Sequence, residues 1–176
     1  MALVAGVPRD PAGAVICIPW LRVAGVGDRG HMRDIAFTRN FSLLEMTVTT
    51  TGLPNVPTDA EVACLRALAI NILQPLRDSL GKPITINSAF RAQAVNRRVG
   101  GAPTSQHRLG QAADIVVSGV SSRQVAKRIV ALGLPFDQVI DEFGSWVHVS
   151  YGPRHRREIL TAVKVRGVTT YKPGLV

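Results

Sequence analysis

Two imidazoles and a carboxylate can hold one metal ion in this chain. They lie in Ser105-Gln106-His107-Arg108-Leu109-Gly110-Gln111-Ala112-Ala113-Asp114 and in Trp146-Val147-His148-Val149-Ser150. Three N and O ligands, with a fourth position left for water, are what a catalytic zinc site requires. A structural zinc site closes all four positions, usually with thiolates, and the chain has only Cys17 and Cys64. A metal on His107, Asp114 and His148 would therefore use its fourth position for chemistry. Spacing alone does not decide this, because a His beside Gly and Gln is more often a turn residue. The local context adds weight. Asp114 opens Asp114-Ile115-Val116-Val117, an apolar run bounded by Gly119 that reads as a buried strand. His148 lies in Trp146-Val147-His148-Val149-Ser150-Tyr151, which reads as another. A carboxylate and an imidazole in core strands are costly to bury without a partner, and a shared cation removes that cost.

The elements that must position these groups follow from pattern. Thr58-Asp59-Ala60-Glu61 is a capping box: the hydroxyl accepts an orphan N–H while Glu61 reaches back. Apolar residues at Val62, Leu65, Leu68, Ala69, Ile72, Leu73 and Leu76 then keep helical spacing, with a kink expected at Pro75 and a stop at Leu80-Gly81 before Pro83. A short strand is expected over Ile84–Asn87 and a short helix over Arg91–Arg98, ended by Gly100-Gly101. Ser121-Ser122 caps a second long helix carrying Val125, Ile129 and Val130, ended by Gly133 and Pro135. Gln138–Glu142 and Trp146–Ser150 read as a hairpin turning through Phe143-Gly144-Ser145. The fold class expected is α+β: a small, mainly antiparallel sheet with helices on one face and the metal site on the sheet.

The hairpin offers a general base. Side chains alternate along strands, so Ile140 and Glu142 share a face, as do Trp146, His148 and Ser150. If the turn pairs Glu142 with Trp146, His148 stands opposite Ile140 and diagonal to Glu142, roughly 7–8 Å away. That suits a base that reaches the attacking water without ligating the metal. The plainer alternative is an exposed Glu near a turn. Asp141 faces the other way in this register and is the second choice.

Composition fits one domain with a real core at 176 residues. A net charge of +9 suits an anionic partner, either nucleic acid or a wall carrying phosphate and carboxylate polymers. The basic residues are scattered apart from Arg154-His155-Arg156-Arg157, and aromatics are not interleaved with them for base stacking, so no nucleic acid is expected. Two distant cysteines make no disulfide framework and leave the redox compartment open. Residues 1–31 mix Gly, Ala, Val and Pro without a period and read as an N-terminal extension of uncertain order, with the domain over 32–176. The run Ala14–Leu21 is too short to span a bilayer and lacks signal-peptide flanks, so neither a transmembrane segment nor a signal peptide is expected. His31 and His155 read as solvated.

The ordered set of residues resembles the zinc D-Ala-D-Ala metallopeptidases, which cut peptidoglycan peptides. Ser-x-His, six residues, Asp, and a later Trp-x-His carry the resemblance. Phe41-Ser42-Leu43-Leu44-Glu45-Met46, Asn55-Val56-Pro57, Ile84-Thr85-Ile86-Asn87-Ser88-Ala89-Phe90-Arg91, Asn96 and Val99-Gly100-Gly101-Ala102 extend it from about Phe37 to about Tyr171. It implies a hedgehog/D-Ala-D-Ala peptidase-like fold, Zn2+ on His107, Asp114 and His148, and Arg91 and Ser105 on the substrate; with the base that the hairpin register offers, the expected catalytic residues are Glu142 and Arg91. Ser105 can instead simply shape its loop, and Arg91 can be a surface charge or a carboxylate's partner. Some members place the acidic base three residues before the last His, where this chain has Ser145.

The implied function is a zinc peptidase acting, as a monomer, on D-Ala-containing bonds of stem peptides. It would be a carboxypeptidase or a cell-wall endopeptidase of endolysin type, working in the periplasm, outside the cell or from a phage. The alternatives are a non-catalytic wall-binding or phage structural domain that kept the fold, and a nucleic-acid binder.

Overall fold

The computed structural model describes residues 34–176; the expectations placed on the N-terminal extension, His31 and Cys17 lie outside them. The Thr58 capping box forms as the sequence dictates. Its hydroxyl accepts from Glu61 N and the Glu61 carboxylate accepts from Thr58 N, launching α1 over Asp59–Leu68. The helical run continues through a π turn at Ala69–Leu73 into α2, Gln74–Leu80. Pro75 explains the π turn. A prolyl nitrogen donates nothing to the preceding turn, and the chain widens there. Gly81 ends α2 in the left-handed conformation at φ 61°.

Six strands form one sheet in the order β1-β2-β4-β3-β5-β6. They span Ile84–Ser88 (β1), Ala112–Val117 (β2), Gln138–Glu142 (β3), Trp146–Ser150 (β4), Glu158–Val165 (β5) and Val168–Pro173 (β6). All neighbours are antiparallel except β3 with β5. Helix α3 (Gln93–Arg98) follows β1, and α4 (Ser122–Ala131) crosses between β2 and β3. The expected helices and the central hairpin are present, in an α+β arrangement. The pair β5–β6 was not anticipated.

Alternation along the strands separates two faces. Ala113, Ile115, Val117, Val139, Val147 and Val149 point to one and join Leu65, Leu68, Ile72 and Leu73 of the first helical run and Val125 and Ile129 of α4 in a single apolar core. Burying each of the Val, Leu and Ile side chains among them contributes roughly 1.5–3 kcal/mol. The other face carries Asp114, His148, Ile140 and Glu142. A one-residue slip in β2 or β4 would exchange the two sets. Cys64, on the buried side of α1, is disulfide-bonded rather than free. Among the described residues no helix is long and apolar enough to cross a membrane.

Candidate metal centre and active site

Register sets the centre of the site. Asp114 on β2 pairs with His148 on β4, and His148 pairs with Ile140 on β3, so all three share a row on the face away from the core. His107 arrives from outside the sheet, on a 3-10 turn over Gln106–Leu109. Ser105 caps that turn by accepting from His107 N at 3.4 Å. Gly110 ends it at φ +66°, so close to α1 that a Cβ would lie 2.5 Å from the Glu61 carbonyl oxygen. Only glycine fits there, and the close approach seats His107 over the sheet.

The three side chains converge. His107 Nε2 lies 3.2 Å from His148 Nδ1, His148 Nδ1 lies 3.0 Å from Asp114 Oδ1, and His107 Nε2 lies 3.2 Å from the same oxygen. All are buried. His107 Nδ1 is 2.7 Å from the Ala89 carbonyl oxygen, which accepts only if that nitrogen carries the proton. His107 Nε2 then presents a lone pair to the cluster. Two ring nitrogens and a carboxylate oxygen are thus crowded together with too few protons among them. Ligands at about 2.0–2.2 Å around a tetrahedral zinc sit roughly 3.3 Å apart, close to the spacing here. The donor set fits zinc, with His107 offering Nε2 and His148 offering Nδ1.

Burial alone would push the Asp114 carboxyl up; hydrogen bonds and charge from His107 and His148 outweigh it and hold the group below the carboxylate range. Burial lowers His107, favouring the neutral imidazole that a metal needs.

Arg91 follows β1 and stands at the edge of the cluster. Its Nε donates to Ser88 Oγ at 2.7 Å and its Nη2 to Asp114 Oδ2. The surface-charge reading of Arg91 is therefore excluded: it is largely buried and holds a metal-cluster carboxylate. Asn55 fixes the backbone on both sides of it, donating to the Phe90 carbonyl at 2.9 Å and accepting from Ala92 N at 2.7 Å. Arg91 N also donates to the His107 carbonyl at 3.1 Å, which ties the backbone of the arginine to that of the imidazole. The sequence hinted at Asn55 only through its place in Asn-Val-Pro.

The hairpin pairs Glu142 with Trp146 and Ile140 with His148, the register expected from a three-residue turn. Glu142 lies on the metal face, half-buried, and burial followed by the nearby Asp114 charge pushes its carboxyl up. Asp141 points the other way. It is 2% exposed, accepts from Ser122 Oγ of α4 at 2.6 Å and faces Arg123 Nε at 3.8 Å. It does not reach the cluster's face.

A cavity of about 760 Å³ covers the cluster, walled by Arg91, Ser105, Glu142, Trp146, Arg154 and Tyr171 among others. Beneath one end, buried Asp137 accepts from Arg156 N at 2.9 Å, Arg156 Nη2 at 2.7 Å and Gln106 Nε2 at 2.9 Å. Burial pushes its carboxyl up, but the hydrogen bonds from Arg156, then Gln106, hold it at about 2. This tie braces the residue preceding His107. His155 is not simply solvated: its Nδ1 is 3.0 Å from the Pro135 carbonyl and its ring packs on Tyr151.

A family model described as Peptidase M15 matches residues 36–150. The zinc D-Ala-D-Ala carboxypeptidase of Streptomyces albus G is 50% identical over 44 residues, a match covering 24% of this chain and 17% of that protein.

Proposed function

Because this chain belongs to the peptidase M15 family, we propose that it is a zinc-dependent peptidase hydrolysing D-Ala-containing bonds of peptidoglycan stem peptides. The observation that carries the reading is the buried convergence of His107 Nε2, His148 Nδ1 and Asp114 Oδ1 beneath an open cavity. His107, Asp114 and His148 would hold a zinc ion, which would supply Lewis acidity to the scissile carbonyl and to the attacking water. Glu142 takes the attacking water's proton and returns it to the departing amine. Its raised basicity and its place beside the cluster rather than within it support that role. Arg91 orients Asp114 through its Nη2 contact, and its guanidinium stabilises the negative charge that builds on the carbonyl oxygen. Ser105 shapes the His107 turn and lines the cavity, where its hydroxyl can meet the peptide backbone.

On this reading the protein acts in the wall, whether exported or delivered by a phage. All the named groups come from one chain, so a monomer suffices. The test is metal analysis of the purified protein together with product analysis from purified peptidoglycan. About one zinc per chain with zinc-dependent release of free D-Ala identifies a carboxypeptidase. Release of larger fragments identifies an endopeptidase of the endolysin type. Zinc and wall binding without any product would leave a wall-binding domain that retained the fold.

A further inference from the structure

The β5–β6 hairpin lies beyond residues 36–150 that the family model matches, yet its Tyr171 lines the cavity. The register explains how. Trp146 on β4 pairs with Glu142 on β3, Glu142 with Ala162 on β5, and Ala162 with Tyr171 on β6. These four residues form one row on the metal face, adjacent to the row of Asp114, His148 and Ile140. Only the methyl of Ala162 stands between Glu142 and Tyr171 in that row. Tyr171 remains 52% exposed, and its hydroxyl has no hydrogen-bond partner among the described residues.

We propose that Tyr171 is a substrate-binding residue whose phenolic O–H donates to the peptide backbone on the leaving-amine side of the scissile bond. The placement follows from the roles of the two rows and rests on the peptidase reading above. The scissile carbonyl must lie over the His107–Asp114–His148 cluster, beside Arg91. Its nitrogen must face the group that protonates it, which is Glu142. The chain beyond that nitrogen then runs over the row where Tyr171 stands, on the side of the cavity opposite Arg91. A phenol suits this position. It offers one directed donor on a rigid ring with little rotamer freedom to lose, and its apolar body walls the groove. Burial, then the charges of Glu142 and Asp114, push its ionisation upwards, so it stays a donor at neutral pH.

The test uses Tyr171→Phe, which keeps the ring and removes the hydroxyl, in two backgrounds. In the otherwise wild-type enzyme, loss of one hydrogen bond between uncharged groups should lower kcat/KM roughly 3- to 10-fold, mainly through KM, with zinc content and Tm unchanged. In the Glu142→Gln background, calorimetry with an uncleaved stem pentapeptide should show weaker binding by a similar factor. Equal binding by Glu142→Gln and Tyr171→Phe/Glu142→Gln would overturn the Tyr171 assignment while leaving the peptidase reading intact. Failure of Glu142→Gln itself to bind the peptide would instead remove the substrate on which both rest. A loss of kcat/KM that tracks loss of zinc or of Tm would make Tyr171 a structural residue of the hairpin, against the proposal.

Discussion

His107 and His148 turn different ring nitrogens to one point, and that asymmetry is set by the backbone around each. His107 is fixed by the Ala89 carbonyl at its Nδ1, so Nε2 is left for the metal, whereas His148 projects from a strand and offers Nδ1. Neither imidazole can be replaced by the other's geometry. His107→Ala, Asp114→Ala and His148→Ala should each lose most of the bound zinc by metal analysis, because three ligands are the minimum for a stable catalytic site. Full occupancy in His148→Ala would refute the ligand set. Glu142 and Asp141 are neighbours in sequence but lie on opposite faces of β3. Glu142→Gln should keep zinc and Tm and slow turnover by about 10²- to 10⁴-fold. Asp141→Asn weakens the contact with Ser122 and should cost stability, with little change in turnover of the folded protein. A dead Asp141→Asn beside an active Glu142→Gln would reverse the two roles. Arg91→Lys replaces a planar fork that now serves Ser88 and Asp114 together with a point charge. It should lower kcat by about 10- to 100-fold, with some loss of zinc affinity through Asp114; unchanged steady-state kinetics and zinc affinity would count against both contacts.

The elements that position the site were legible in unequal measure. The capping box at Thr58, the short strand before Arg91 and the hairpin pairing Glu142 with Trp146 could all be read, because local chemistry determines each one. The β5–β6 hairpin was missed although it carried a signal. Arg166-Gly167 lies between alternating β-prone runs, and both residues take positive φ, 51° and 82°, as a tight two-residue turn requires. What no local pattern holds is that β5 should pair in parallel with β3, a contact made only through tertiary packing. The tie from Asp137 to Arg156 and Gln106 was hidden for the same reason, joining three loops distant in sequence. The only clue was a carboxylate beside Phe136 and ahead of a core strand. Its pKa makes it testable. Asp137 ionises at about 2 in the folded protein, against 3.8 ordinarily. Its contribution to stability is therefore complete above the ordinary value and is lost as pH falls through about 2. Urea unfolding midpoints should fall less between pH 5 and pH 2 for Asp137→Asn than for the wild type, with the variant already weaker at pH 5. Parallel pH profiles for the two proteins would show that the tie contributes nothing.

At the scale of the whole molecule, core and site occupy opposite faces of one sheet, and they share strands without sharing side chains. None of His107, Asp114 and His148 belongs to the apolar cluster, which runs from Phe37 and Phe41 through the helices to Tyr151. Folding therefore rests on that cluster, while the metal face contributes crowded acceptor atoms that the metal relieves. Removing zinc should then separate activity from fold. Chelation should abolish hydrolysis and leave the far-UV circular dichroism nearly unchanged. Tm should fall, because a ligand that binds only the native state stabilises it by about 2.7 kcal/mol at a free concentration 100 times its Kd. For a domain of this size that is a shift on the order of 5–10 °C. Adding zinc back should restore both activity and Tm. If chelation instead melted the sheet, the metal would be holding the fold together and the core on the helix-facing side would be insufficient alone. A closed structural site of that kind needs a fourth protein ligand, and the cluster found among the described residues has three.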